Sequence, residues 1–127
     1  MYHLRWLLIG LLFSCHPAYA GDEAPASGEE LLSHCRIYTQ LSPMPWGFKV
    51  TDTNPSVAVC LSFMSGLIGQ PGAVKDKADV GYCLPADIAP GQLASVFVAY
   101  ADISPQIHEQ TADQAASELF KQAFPCK

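Results

Sequence analysis

Positive charge is scarce in this chain. Seven Lys and Arg stand against twelve Asp and Glu over 127 residues, a formal net charge of −5. A nucleic-acid partner requires the opposite balance, because its phosphates must be neutralised by a basic patch. Anionic membrane surfaces are disfavoured for the same reason. Long apolar runs are lacking as well: Trp6–Phe13 falls well short of the roughly 20 residues a membrane-spanning helix needs. No segment alternates strictly between apolar and polar residues, which removes the signature of half-buried strands. There is no Cys-x-x-Cys, no His-x-x-x-His, no phosphate-binding glycine loop and no nucleophile elbow. These absences leave zinc, nucleotide and serine-hydrolase chemistry without their usual local signals. Internal repeats and low-complexity blocks are missing too.

What the chain does have is the signature of a leader. Arg5, the apolar run Trp6–Phe13 and a small-x-small exit at Ala18-Tyr19-Ala20 read as a cleavable secretory signal over residues 1–20. An alternative is a lipoprotein signal at Leu12-Phe13-Ser14-Cys15, acylated at Cys15; the bulky Phe13 and the clean exit at Ala20 weigh against it. Residues 21–127 then suffice for a single domain and are too few for two. Loss of Arg5 with the leader makes the mature chain more acidic still, which suits solubility or attraction to a basic protein. Cleavage leaves Cys35, Cys60, Cys83 and Cys126. Four cysteines in a small exported chain point to two disulfides and an oxidising compartment, the periplasm.

Helix signals organise the rest. Gly21–Ser27 is a flexible lead, and Ser27-Gly28-Glu29-Glu30 is a capping box that opens a first helix with Leu31, Cys35 and Tyr38 on one face. Pro43, Pro45 and Gly47 stop it. Asn54-Pro55 starts a second helix with Val57, Cys60, Leu61, Met64 and Ile68 on one stripe, ended by Gly69–Gly72. Pro90 opens a third, with Leu93, Val96, Phe97 and Tyr100 inward, and Pro105 breaks it. Thr111-Ala112-Asp113-Gln114 is a second capping box, and the fourth helix buries Ala112, Ala116, Leu119, Phe120 and Ala123. The predicted fold class is all-α, a small disulfide-stapled bundle of about four helices.

Four cysteines permit three pairings. Cys35–Cys60 with Cys83–Cys126 is favoured, because it staples neighbouring units without crossing the core. A zinc site is the alternative, weakened by the lack of close Cys spacing. Of the histidines beyond the leader, His34 adjoins a cysteine expected to be oxidised, and His108 stands beside Glu109 between the third and fourth helices. Neither has a nucleophile to activate. The Lys75–Asp79 loop reads as solvated and not as a metal cage. No catalytic residue, metal ligand or cofactor is assigned, and the chain is expected not to be an enzyme.

The candidate partner-binding residues are Met44, Trp46 and Phe48 in the proline-rich connection, and Lys75, Asp76 and Tyr82 in the polar loop. Met and aromatic side chains are enriched at the cores of protein interfaces. The competing reading has the proline-rich connection fold back to cap the bundle.

The stretch from Glu30 to Cys126 carries Leu31-Leu32 before Cys35, then Cys60 with Gly66 behind it and Cys83-Leu84-Pro85. After these come Gln92, Tyr100, Pro105 and a closing Phe124-Pro125-Cys126. In these residues it resembles the Rap/Tai family of type VI secretion immunity proteins. The resemblance implies a small, periplasmic, helical and disulfide-bonded protein, often a homodimer. Such proteins bind and block a peptidoglycan amidase toxin delivered by sibling cells. Contact residues differ with the toxin, so the resemblance assigns none. A second function class is a periplasmic stress-related chaperone or binding protein with no toxin partner.

Overall fold

Three of the four described α-helices begin at a residue whose side chain satisfies an unpaired N–H group of the first turn. Ser27 Oγ accepts from the Glu30 N–H at 3.1 Å, while the Glu30 carboxylate accepts from the Ala26 N–H at 2.8 Å, one residue before the position a simple capping box would use. Asn54 Oδ1 accepts from the Ser56 N–H at 3.0 Å with Pro55 following. Thr111 and Gln114 satisfy each other's backbone N–H at 3.2 and 3.3 Å. Ala89 has no capping side chain; Pro90 supplies a preset φ, and Gln92 Oε1 accepts from the Ala89 N–H at 2.9 Å.

The computed structural model describes residues 24–41, 54–70 and 80–127. The elements are α1 (Gly28–Leu41), α2 (Pro55–Ile68), α3 (Pro90–Ala101), a 3-10 turn (Pro105–Glu109) and α4 (Ala112–Ala123). Among the described residues there is no strand, only an isolated antiparallel bridge between Ser27 and Thr111. The fold is a small all-α bundle. The stretch read as a leader, residues 1–20 with Cys15, lies outside the described residues. No described helix is long and apolar enough to cross a membrane.

The core is one cluster with α1 at its centre, touching α2, α3, α4 and the 3-10 turn. Leu31, Leu32 and Cys35 of α1 meet Cys60 and Met64 of α2, Leu93 and Phe97 of α3, and Leu119 and Phe120 of α4. Both favoured disulfides are formed: Cys35–Cys60 and Cys83–Cys126, each with a Cα–Cα distance of 5.1 Å. With all four sulfurs bonded in this way, a zinc site has no thiolate to draw on.

Two helices are turned slightly from the expected setting. On α2 the buried seam is Val57, Cys60, Met64 and Leu67, with Leu61 and Ile68 partly exposed on its flanks. This helix packs mainly against α1 and α3, so its buried stripe is narrow. On α3, Ala94 and Ala101 are buried, while Val96 and Tyr100 are partly exposed. Small residues let α3 lie close to its three neighbours, and the larger side chains cover the rim. Tyr38 is likewise at the edge, its hydroxyl against Gly91 at the start of α3. Pro105 does not merely end a helix: it opens the 3-10 turn that drives Ile107 into the core.

The chain entering α1 is sewn to the chain entering α4. The Gly28 N–H donates to the Gln110 carbonyl at 2.9 Å, and the Ala112 N–H to the Ala26 carbonyl at 3.2 Å. Gly28 is buried, and a Cβ there would press on the Ile107 carbonyl oxygen and lie 2.7 Å from the Ala115 Cβ. Alanine normally gains roughly 0.5–1 kcal/mol over glycine inside a helix. Here backbone and a methyl stub cannot swing aside, so the overpacking term wins. Gly28→Ala is expected to lower stability by about 1–3 kcal/mol, read as a fall in the urea midpoint. An unchanged or higher midpoint would show that this approach is looser than described.

Candidate partner-binding surface

Gly81 to Cys83 is where the chain returns to the bundle after the polar loop, and three local devices pin it. Gly81 has a φ of 83°, a left-handed turn that favours glycine. Tyr82 then inserts its ring edge-on to Phe120, with centroids 5.7 Å apart. Phe120 also meets Phe97 edge-on at 6.2 Å and Phe124 at 6.1 Å, so one α4 side chain gathers rings from three directions. The Cys83 N–H donates to the Phe124 carbonyl at 2.9 Å, beside the bond from Cys83 to Cys126.

This arrangement decides the position of Tyr82. Its side chain is 2% exposed and serves as an anchor in the core. Burial, with a smaller contribution from the nearby Asp113 carboxylate, pushes its phenol above the ordinary tyrosine value, so it is neutral at physiological pH. The other candidate residues, Met44, Trp46, Phe48, Lys75 and Asp76, lie outside the described residues. Of that set, only Tyr82 is among the described residues. The structure does locate where the two stretches carrying the others attach. Leu67 and Gln70, at the end of α2, lie beside Asp113 and Ser117 of α4, and Gly28 of α1 lies beside Ala115. The α2 C-terminus and the α1 N-terminus therefore share the end of the bundle nearest the start of α4. Leu41 and Asn54 mark the opposite end.

An open face of α4 runs past the Tyr82 anchor. One groove of about 550 Å³ is lined by Gln110, Asp113, Gln114, Ser117, Glu118 and Lys121. A second of about 340 Å³, lined by Leu67, Gln70, Val80, Tyr82, Asp113 and Ser117, shares two of its residues and so continues the first. Glu118 is organised within this face. Its Oε1 accepts from Gln106 Nε2 at 2.9 Å, and its Oε2 accepts from Gln110 Nε2. These two amide donors, Gln106 foremost, hold its carboxyl below the usual glutamate range, so it stays ionised. The face therefore offers carboxylates, amides and a serine hydroxyl, a hydrogen-bonding surface with acidic character. Sequence reasoning passed over it because Asp113, Gln114, Ser117, Glu118 and Lys121 read as the solvated side of an amphipathic helix. The Gln pair comes from the 3-10 turn and the residue just beyond it, which carry no helical periodicity.

Among the described residues, no nucleophile, base or metal ligand set is assembled. His34 lies on α1 with its Nδ1 buried and without a hydrogen-bond partner, next to a cysteine consumed in a disulfide. His108 borders a separate cleft of about 370 Å³ with Glu29, Ser33, Arg36 and Gln40, where no thiol is present. Among the described residues, no three His, Cys, Asp or Glu gather as a metal site would require.

No curated protein and no solved structure matches the chain. The family profile described as Rap1a immunity proteins does match, over residues 27–126. That span begins at the cap of α1, takes in every described helix and both disulfides, and ends at Cys126. The chain belongs to the Rap1a immunity protein family.

Proposed function

We propose that this protein is a periplasmic immunity protein that binds and inhibits a peptidoglycan amidase toxin of the type VI secretion system. The observation that carries the reading is family membership over residues 27–126. The reading makes the protein a non-enzymatic inhibitor whose partner is another protein. A stapled bundle suits that work, because preorganised surfaces lose little conformational freedom on docking. The acidic balance of the chain would speed capture of a basic hydrolase. Export follows from residues 1–20 acting as a cleaved leader, with the mature domain starting at Gly21 and disulfides forming after translocation. Occlusion of the enzyme cleft would fall to the Met44–Phe48 stretch or to the Lys75–Tyr82 stretch, the latter anchored through Tyr82. Co-expression tests the reading directly. A candidate amidase sent to the periplasm should lyse cells alone and leave them intact beside this protein, and the two should co-elute on size exclusion. Equal lysis in both strains with no complex would sink it.

A further inference from the structure

We propose that the Cys83–Cys126 bond is a thiol–disulfide exchange site, open to an external protein dithiol, whereas the Cys35–Cys60 bond is closed to such a reagent. The contrast begins with access. Cys35 and Cys60 are both 0% exposed, on the facing sides of α1 and α2. An attacking thiolate must reach a sulfur along the bond it breaks, and here that requires parting the two helices. Cys83 and Cys126 are both partly exposed. Neither lies in a helix: one sits in the irregular Tyr82–Pro85 segment, the other beyond the end of α4 at Ala123.

Charge reinforces the contrast. The cationic Lys and Arg among the described residues are Arg36, Lys121 and Lys127. Arg36 is engaged elsewhere, paired with Asp102 at 2.8 Å across α1 and α3. Lys127 follows Cys126 directly. Lys121 lays its side chain over Gly81, two residues before Cys83, with its Nζ 3.5 Å from where a Gly81 Cβ would stand. Cations beside a disulfide attract an anionic attacker and stabilise the thiolate that leaves. An acidic chain thus places Lys127 next in sequence to Cys126 and Lys121 over Gly81, although Lys121 also acts on the Glu118 carboxylate.

The reaction is balanced by the dithiol itself. Its thiolate attacks one sulfur of the pair, forming a mixed disulfide and expelling the other cysteine as a thiolate, which takes up a proton. The second thiol of the reagent, giving up its proton, then displaces the remaining cysteine. The reagent leaves as a disulfide, and two electrons and two protons have passed to Cys83 and Cys126. The structural consequence is loss of the covalent tie on Pro125–Lys127, while the Cys83 N–H to Phe124 carbonyl bond and the Tyr82–Phe120 contact remain and α1 and α2 stay joined.

The test uses the oxidised, full-length protein under native conditions. It is treated with dithiothreitol, and in parallel with a Cys-x-x-Cys protein dithiol. New thiols are trapped with N-ethylmaleimide and located by peptide mass. The expected product is doubly labelled at Cys83 and Cys126, with a retained helical signal. Labelling of Cys35 and Cys60 should be slower by on the order of 100-fold, since it waits for global opening. Labelling of the buried pair first, or of all four cysteines in one step, overturns the proposal. The charge contribution has its own readout: at equal thiolate concentration, anionic 2-mercaptoethanesulfonate should react faster than cationic cysteamine. The reverse order removes Lys121 and Lys127 from the argument.

Discussion

Phe120→Ala is expected to lower the stability of this domain by about 3–5 kcal/mol, the range for emptying an aromatic site in a packed core. The reason lies in what the ring joins. Phe120 is 0% exposed and belongs to α4, yet its partners come from three other places: Phe97 on α3, Tyr82 in the returning segment, and Phe124 beyond the α4 terminus. A small domain has only about 5–15 kcal/mol to lose, so the variant should be substantially unfolded at growth temperature. Collapse cannot fill the site cheaply, because the Cys83–Cys126 bond fixes the segment on one side of it. Urea unfolding at a fixed redox state measures the loss. Phe120→Leu, which keeps much of the volume, should recover most of it. A loss under about 1 kcal/mol for the alanine variant would place the ring outside the cooperative core.

The second large effect concerns the inner staple. Cys35 and Cys60 are 25 residues apart, and the chain-entropy relation gives about 3.5 kcal/mol for closing a loop of that length. The outer pair, at a separation of 43, comes to about 4 kcal/mol by the same relation. Burial reverses this order. Replacing Cys35 and Cys60 with alanine also removes two sulfur atoms from a region with no solvent access, and the resulting voids add to the cost. It further frees α1, the helix every other described helix packs against, from α2. The Cys35→Ala/Cys60→Ala variant should therefore melt roughly 15–25 °C below the parent, and further below it than Cys83→Ala/Cys126→Ala does. A drop of only a few degrees, or the opposite order of the two variants, would show that packing alone holds α1 against α2.

The legible parts of this fold are those written within four residues of one another. Asn54, Thr111 and Gln114 announce helix starts because the side chain that caps and the N–H it caps are neighbours in sequence. Tyr82 shows where such reading ends. A tyrosine in a polar loop carries the composition of an interface residue, and nothing local says that Phe120, far along the chain, offers its ring an apolar partner. The α4 face was equally hidden, since polar residues at helical spacing describe a solvated surface whether or not it is used. Its defining contact, Glu118 held by Gln106 and Gln110, depends on the 3-10 turn folding back beside α4.

Composition and near-neighbour contacts set the acidic balance, the four described α-helices, the residues that cap most of them and the supply of cysteines for two bonds. Each depends on composition or on hydrogen bonds between near neighbours, and these are the same in any compact arrangement of the chain. Tertiary structure settled which of the three possible cysteine pairings forms, and it is the one favoured from the sequence. It also decided which flank of α2 and α3 turns inward, why Gly28 must lack a side chain, and why one disulfide is sealed while the other is partly open. Those outcomes depend on how closely distant segments approach and on the water excluded between them, quantities that exist only once α1, α3 and α4 have closed around Phe120.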